Sequence, residues 1–219
     1  MKAERKNLFE FQWAVDQDGY EIEKVPPGSG STLVYSYPGY RQIRRRGGPW
    51  RHYRPVEEDP GIARRFACLP ETPDAVLQFV NRFGLPGTSA LERRQPEPWS
   101  EFEPLEDLYT GIRNLRFLFD LIDADKRQQV LELFNQHLKP RMTIRIGGGG
   151  TRKPHLEVAP LSLNSFMALQ LAEEITRKNV RYVLCENCPS WFLHRRHKRF
   201  CSNTCRVAAH RKKGLENKQ

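Results

Sequence analysis

The sequence predicts an α+β fold, with an N-terminal antiparallel sheet and a helical body followed by a small cysteine-built module. Three observations carry this. Up to about residue 70 apolar and polar residues alternate with the period of strands. Beyond it the apolar residues recur three and four apart, the spacing of one helix face. Four of the five cysteines then crowd into Cys185-Glu-Asn-Cys188 and Cys201-Ser-Asn-Thr-Cys205. A chain of 219 residues holds one medium domain and an appendage. The expected division is a body over 1–176 and a basic module over 177–219.

Taken in order, Leu8 to Val15 alternates with Phe9, Phe11, Trp13 and Val15 on one face, a half-buried strand. Asp16-Gln-Asp-Gly19 has turn chemistry and Tyr20 to Val25 alternates again, which predicts a hairpin. A loop over Pro26–Ser31 leads to a third strand, Thr32–Tyr37. The stretch from Tyr40 to Arg54 interleaves six arginines with Tyr40, Trp50 and Tyr53. Such a stretch can contact phosphates and bases. Glu57, Glu58 and Asp59 follow at once, and internal ion pairing is at least as good a reading.

Thr72 is an N-cap type, Pro73 suits a first turn, and Gly84 follows a stripe at Val76, Phe79, Val80 and Phe83. Together they predict a helix over 72–83. Residues 85–98 read as a connection. Phe102 to Asp123 carries Leu105, Leu108, Ile112, Leu115, Leu118, Phe119 and Ile122 at helical spacing, and a further helix runs over 125–138. Arg141–Ile146 and Pro154–Val158 read as strands joined by the glycine run 147–150. That run lacks the lysine and hydroxyl pair of a phosphate loop. Leu161–Thr176 is a helix that leads into the strand Val180–Leu184 and the first cysteine pair. The expectation is three or four helices in the body.

The cysteine pattern is C-x2-C, twelve residues, then C-x3-C. Two thiolate pairs at such spacings supply the tetrahedral sulfur shell that zinc takes in structural sites. Trp191-Phe-Leu193 reads as a short strand, and Ser202 or Asn203 caps a helix through Lys213 that Gly214 stops. A knuckle, a hairpin and a ligand pair on a helix's first turn make the treble-clef pattern. The expected zinc ligands are Cys185, Cys188, Cys201 and Cys205. Four thiolates close the shell, so the zinc is expected to be structural and not catalytic. His194, His197 and His210 are read as members of a basic surface. Removing the metal should unfold the module and spare the body. Cys68, with no cysteine nearby, is expected to be buried as a small apolar residue.

Composition narrows the function classes. No apolar run reaches the length of a membrane span, and the charged start Met1–Lys6 has no apolar stretch behind it to make a signal peptide. A cytoplasmic location with reduced thiols is expected. The formal net charge is +10, and residues 177–213 account for it with eleven Lys/Arg against Glu186 alone. Residues 1–176 hold 24 charges of each sign. Such a cationic module attracts polyanions, and nucleic acid is the expected partner. The candidate contacts are Arg195, Arg196, Lys198 and Arg199 in the hairpin and Arg206, Arg211, Lys212 and Lys213 on the helix. No serine elbow, paired His/Asp or activated cysteine suggests an enzyme.

Residues Cys185–Lys213, with C-x2-C, W-F, R-x-F-C-S-x-x-C-R and a basic helix, resemble the C-terminal finger of the bacterial CGNR zinc-finger proteins. In that group a helical body precedes a finger suspected of binding DNA in transcriptional control. The chain carries Cys205-Arg-Val-Ala208 in place of the Cys-Gly-Asn-Arg tetrapeptide, which makes it a relative of the group and not a member. The Phe-Cys-Ser…Cys element is also similar to small zinc-finger inhibitors of DNA gyrase, which bind a protein. The resemblance implies DNA as partner, and leaves a protein-interaction or structural finger as the alternative.

Overall fold

A computed structural model describes residues 11–25, 40–88, 101–137, 142–147, 155–176, 182–194 and 197–216. Helices and antiparallel strands are mixed as the two periodicities predict. The pairing of the first strands differs from expectation. Strand β1 (Trp13–Asp16) does not form a hairpin with β2 (Tyr20–Lys24). It pairs with β4 (Trp50–Tyr53), Trp13 opposite Tyr53, while β2 pairs with β3 (Arg41–Arg45), Tyr20 opposite Arg45. The Asp16–Gly19 segment is thus a bend in one long antiparallel arm.

Asp16 explains the bend. Its carboxylate accepts the N–H of Asp18 at 2.9 Å and, from the opposite side of the arm, those of Gly47 and Gly48 at 2.9 and 3.0 Å, with Arg45 Nε at 2.9 Å. The turn residues are tied across the arm and do not reverse the chain. Burial pushes the Asp16 carboxyl up, but Arg45 and the backbone donors outweigh it and hold it below the usual range. All four residues of β1 are buried, so the strand is not the half-exposed one expected. The expected third strand, 32–37, lies outside the described residues.

Strand β5 (Phe102–Pro104) adds to β3, giving the order β2-β3-β5. These residues were expected to open a helix. Pro104 disfavours helical backbone in the residue before it, and the helix starts one residue later.

Helix α1 (Pro55–Glu58) and helix α2 (Ile62–Ala67) exceed the expected number. Four and six residues are too few to show a period, and α2 buries five of its six. Helix α3 (Pro73–Phe83) has the predicted cap, Ala75 N–H to Thr72 Oγ1, and buries Val76, Phe79, Val80 and Phe83. Gly84 ends it at φ +80°, a conformation that suits glycine. Helix α4 (Leu105–Asp123) buries all seven predicted stripe residues. Helix α5 (Arg127–His137) follows, then the antiparallel hairpin β6 (Met142–Gly147) and β7 (His155–Pro160), then helix α6 (Leu163–Thr176). One apolar cluster runs from Phe11 to Leu171 and includes Phe66, Phe79, Ile112 and Met167.

The C-terminal region adds the hairpin β8 (Tyr182–Leu184) and β9 (Trp191–Leu193), then helix α7 (Asn203–Glu216). Gly214 does not stop α7, in contrast to the sequence expectation. A glycine inside a helix costs about 1 kcal/mol relative to alanine, which weakens a helix without ending it.

Candidate metal centre and its basic surround

The finger's local chemistry brings the four sulfurs together. Cys185 leaves β8 with its N–H on Ser190 O at 3.0 Å, which closes a tight loop around Cys188. Its sulfur accepts the N–H of Cys201 at 3.4 Å, across from the second pair. Ser202 caps α7 as expected, its Oγ accepting the N–H of Cys205 at 3.2 Å. That cap places Cys205 on the first turn with Cys201 just ahead of it. The sulfurs of Cys188 and Cys201 are 3.6 Å apart, Cys201 and Cys205 3.5 Å, and Cys205 and Cys188 3.6 Å. All four lie within 4.8 Å of one another.

These separations are too long for disulfides and suit a shared cation. A tetrahedron with metal–sulfur bonds of about 2.3 Å has sulfur–sulfur edges of about 3.8 Å. The donor set therefore fits a thiophilic metal ion held by Cys185, Cys188, Cys201 and Cys205, with no position left for a substrate. The thiols' acidities are spread apart. Burial pushes Cys185 up, but the N–H groups of Cys201, Asn187 and Cys188 outweigh it and bring it to about 6. Burial and the neighbouring cysteines push Cys201 up to about 12. Cys205 is held below its ordinary value by hydrogen bonds to Ser202 and then to Cys201 and Cys188. Thiolates this close repel one another, so all four ionise together only around a cation. None of the three histidines enters this group among the described residues.

The predicted nucleic-acid contacts divide. Arg206, Arg211 and Lys212 are exposed on α7, and among the described residues none is paired with an acid. Lys213 also lies on α7. The hairpin bases differ. Arg199 is taken up by an exposed ion pair with Glu186, which pushes the guanidinium up. Lys198 donates to Cys201 O at 3.0 Å and lies over the Phe192 ring at 5.3 Å. Both help to build the finger. Arg195 and Arg196 lie outside the described residues.

In the body, the arginine-aromatic stretch is used internally. Arg44 pairs with Glu23, Arg45 with Asp16, Arg46 with Glu21, Arg51 with Glu58 and Arg54 with Glu57. Arg45 also stacks over Trp50 at 4.0 Å. An open groove of about 710 Å³ beside β2 and β3 is lined by Glu21, Glu23, Arg44 and Arg46. These are the same paired charges, and they do not set a nucleophile beside a base. Cys68 corrects another expectation: it is exposed, at the C-cap of α2. The inward positions of that short helix are taken by Phe66 and its neighbours, so the cap residue faces out.

The chain matches no protein-family model, no curated protein and no solved structure. Among the described residues no helix is long and apolar enough to cross a membrane.

Proposed function

We propose that residues 177–219 form a treble-clef zinc finger, related to the CGNR group, that binds DNA and serves transcriptional control. The observation that carries this is the set of exposed cations on α7, Arg206, Arg211 and Lys212, in a stretch, residues 177–213, of eleven bases whose one acid, Glu186, is already paired with Arg199. Zinc is the metal because four thiolates in a closed tetrahedral shell are its usual structural set. The helix lies against the duplex and its cations meet phosphates, which gives affinity without reading bases.

Titration of the full chain with a random duplex across a salt series tests this. Each phosphate contact releases counterions, so four or five contacts give a slope of log affinity against log salt of about −4. No binding at low salt overturns the reading. A second reading, a finger that serves the body or a protein partner, is supported by the seating of Trp191 on the body at Gly61. On that reading the duplex is ignored and the metal is still bound.

A further inference from the structure

Among the described residues the finger comes unusually close to the body at Gly61. A Cβ placed on Gly61 would lie 2.2 Å from Trp191 Cβ, 3.2 Å from its Cγ and 3.4 Å from its Cα. These three nearest atoms all belong to Trp191, so it is the finger that requires glycine here. The φ at Gly61 is −114°, which any residue adopts. Successive strand residues point to opposite faces, and β9 uses both. Phe192 turns into the finger and is buried there, while Trp191 faces α2.

Beneath Trp191 lies a buried, many-partnered charge of the body. Arg64 is buried on α2 and binds both oxygens of Glu174, with Nη2 to Oε2 at 2.7 Å. It also binds both oxygens of Asp123, at 2.9 and 3.0 Å. Its guanidinium lies 4.5 Å from the centre of the Phe119 ring and 5.8 Å from that of Trp191. Gln170 completes the joint, accepting the N–H of Ala63 at 3.0 Å and donating to Pro60 O at 2.7 Å. One residue of the finger thus bears on a point where α2, α4 and α6 meet.

We infer that Trp191 is a latch through which cation binding at the four cysteines is coupled to the packing of α2. The finger's own buried residues, Tyr182, Cys185 and Phe192, lie outside the body's apolar cluster. A unit this small lacks the core to hold β9 in place without its metal. The hairpin that carries Trp191 is closed by the same Cys185–Ser190 bond that shapes the first ligand pair. Releasing the cation therefore unseats Trp191, uncovers Arg64 and loosens α2. Linkage makes the effect reciprocal: whatever prevents seating weakens the cation. The inference rests on the metal reading of the cysteines and not on the nucleic-acid reading.

The test uses the full chain and zinc in competition with a chelator. Gly61→Ala presses on Trp191, and it should lower zinc affinity roughly tenfold, within the range usual for coupled sites. In Trp191→Gly, whose Cα already stands at ordinary contact distance, adding Gly61→Ala should change affinity no further. Chelation of the unsubstituted chain should speed hydrogen exchange at the Ala63 amide. Equal affinities for the parent and Gly61→Ala, unchanged exchange at Ala63, or a Gly61→Ala loss that persists beside Trp191→Gly would each overturn the coupling. A parent chain that takes up no zinc would overturn the metal reading, and this inference with it.

Discussion

The body and the finger use arginine in opposite ways. In residues 41–65 nearly every arginine meets a carboxylate, as Arg45 meets Asp16 and Arg65 meets Asp59. On α7, Arg206 and Arg211 face solvent, in a module that has almost no acid to pair them. Stability divides the same way. The body is held by an apolar cluster, while the finger gathers four sulfurs close enough to hold a metal ion. A count of positive charge speaks of partners only after the internally paired charges are subtracted.

The largest test of this division removes a ligand. Cys201→Ser should leave less than about half an equivalent of metal and abolish the folding that metal drives, worth about 10–16 kcal/mol in zinc-finger peptides. Metal analysis with far-ultraviolet dichroism checks it, and the body's helices should persist. A body that unfolds completely would dissolve the comparison.

Next in size is the buried pair inside the body. Glu174→Leu leaves Arg64 buried with only Asp123, and the body should lose about 3 kcal/mol in urea titration. An unchanged midpoint would show that the pair does not hold the body together.

The contrast in charge use is sharpened by two matched triple variants. Arg206→Gln, Arg211→Gln and Lys212→Gln together should flatten the salt slope of duplex binding by about 2–3, with metal content intact. Arg44→Gln, Arg46→Gln and Arg54→Gln together should leave the slope unchanged, since those cations are already paired.

A smaller effect belongs to the body alone. Glu103 is fully buried and accepts the N–H groups of Gly87 and Thr88 and the Thr88 hydroxyl. Burial pushes its carboxyl up to about 7, above the 4.5 of a free glutamate, against the pull of those donors. The folded state therefore keeps this proton longer than the unfolded chain. The stability it contributes is complete below about 4.5 and is lost as pH rises through about 7. The loss should be roughly 1–3 kcal/mol, and Glu103→Gln should remove this slope from the urea midpoint whatever its offset. The smallest change expected is Arg54→Gln, an exposed pair, at under about 0.5 kcal/mol.

Much of this was legible beforehand. The stripes of α3 and α4 were readable because a long helix repeats its pattern often enough to stand out. The cysteine spacing was readable because ligands on one short hairpin and one helix turn are set by local chain geometry. Hence Cys185, Cys188, Cys201 and Cys205 meet as their spacing predicts. What tertiary structure alone decided depends on distant partners. Asp16–Gly19 has the chemistry of a hairpin turn, but Gly47 and Gly48 capture its carboxylate and make it a bend. Helix α2 is too short to declare itself, and its buried Arg64 is explained only by Asp123 and Glu174, 59 and 110 residues away. Nor does any local signal set apart Lys198 and Arg199, which build the finger, from Arg211, which faces outward. Sequence fixes what a residue can do with its neighbours in the chain, while pairing across the fold decides which charges remain to meet anything else.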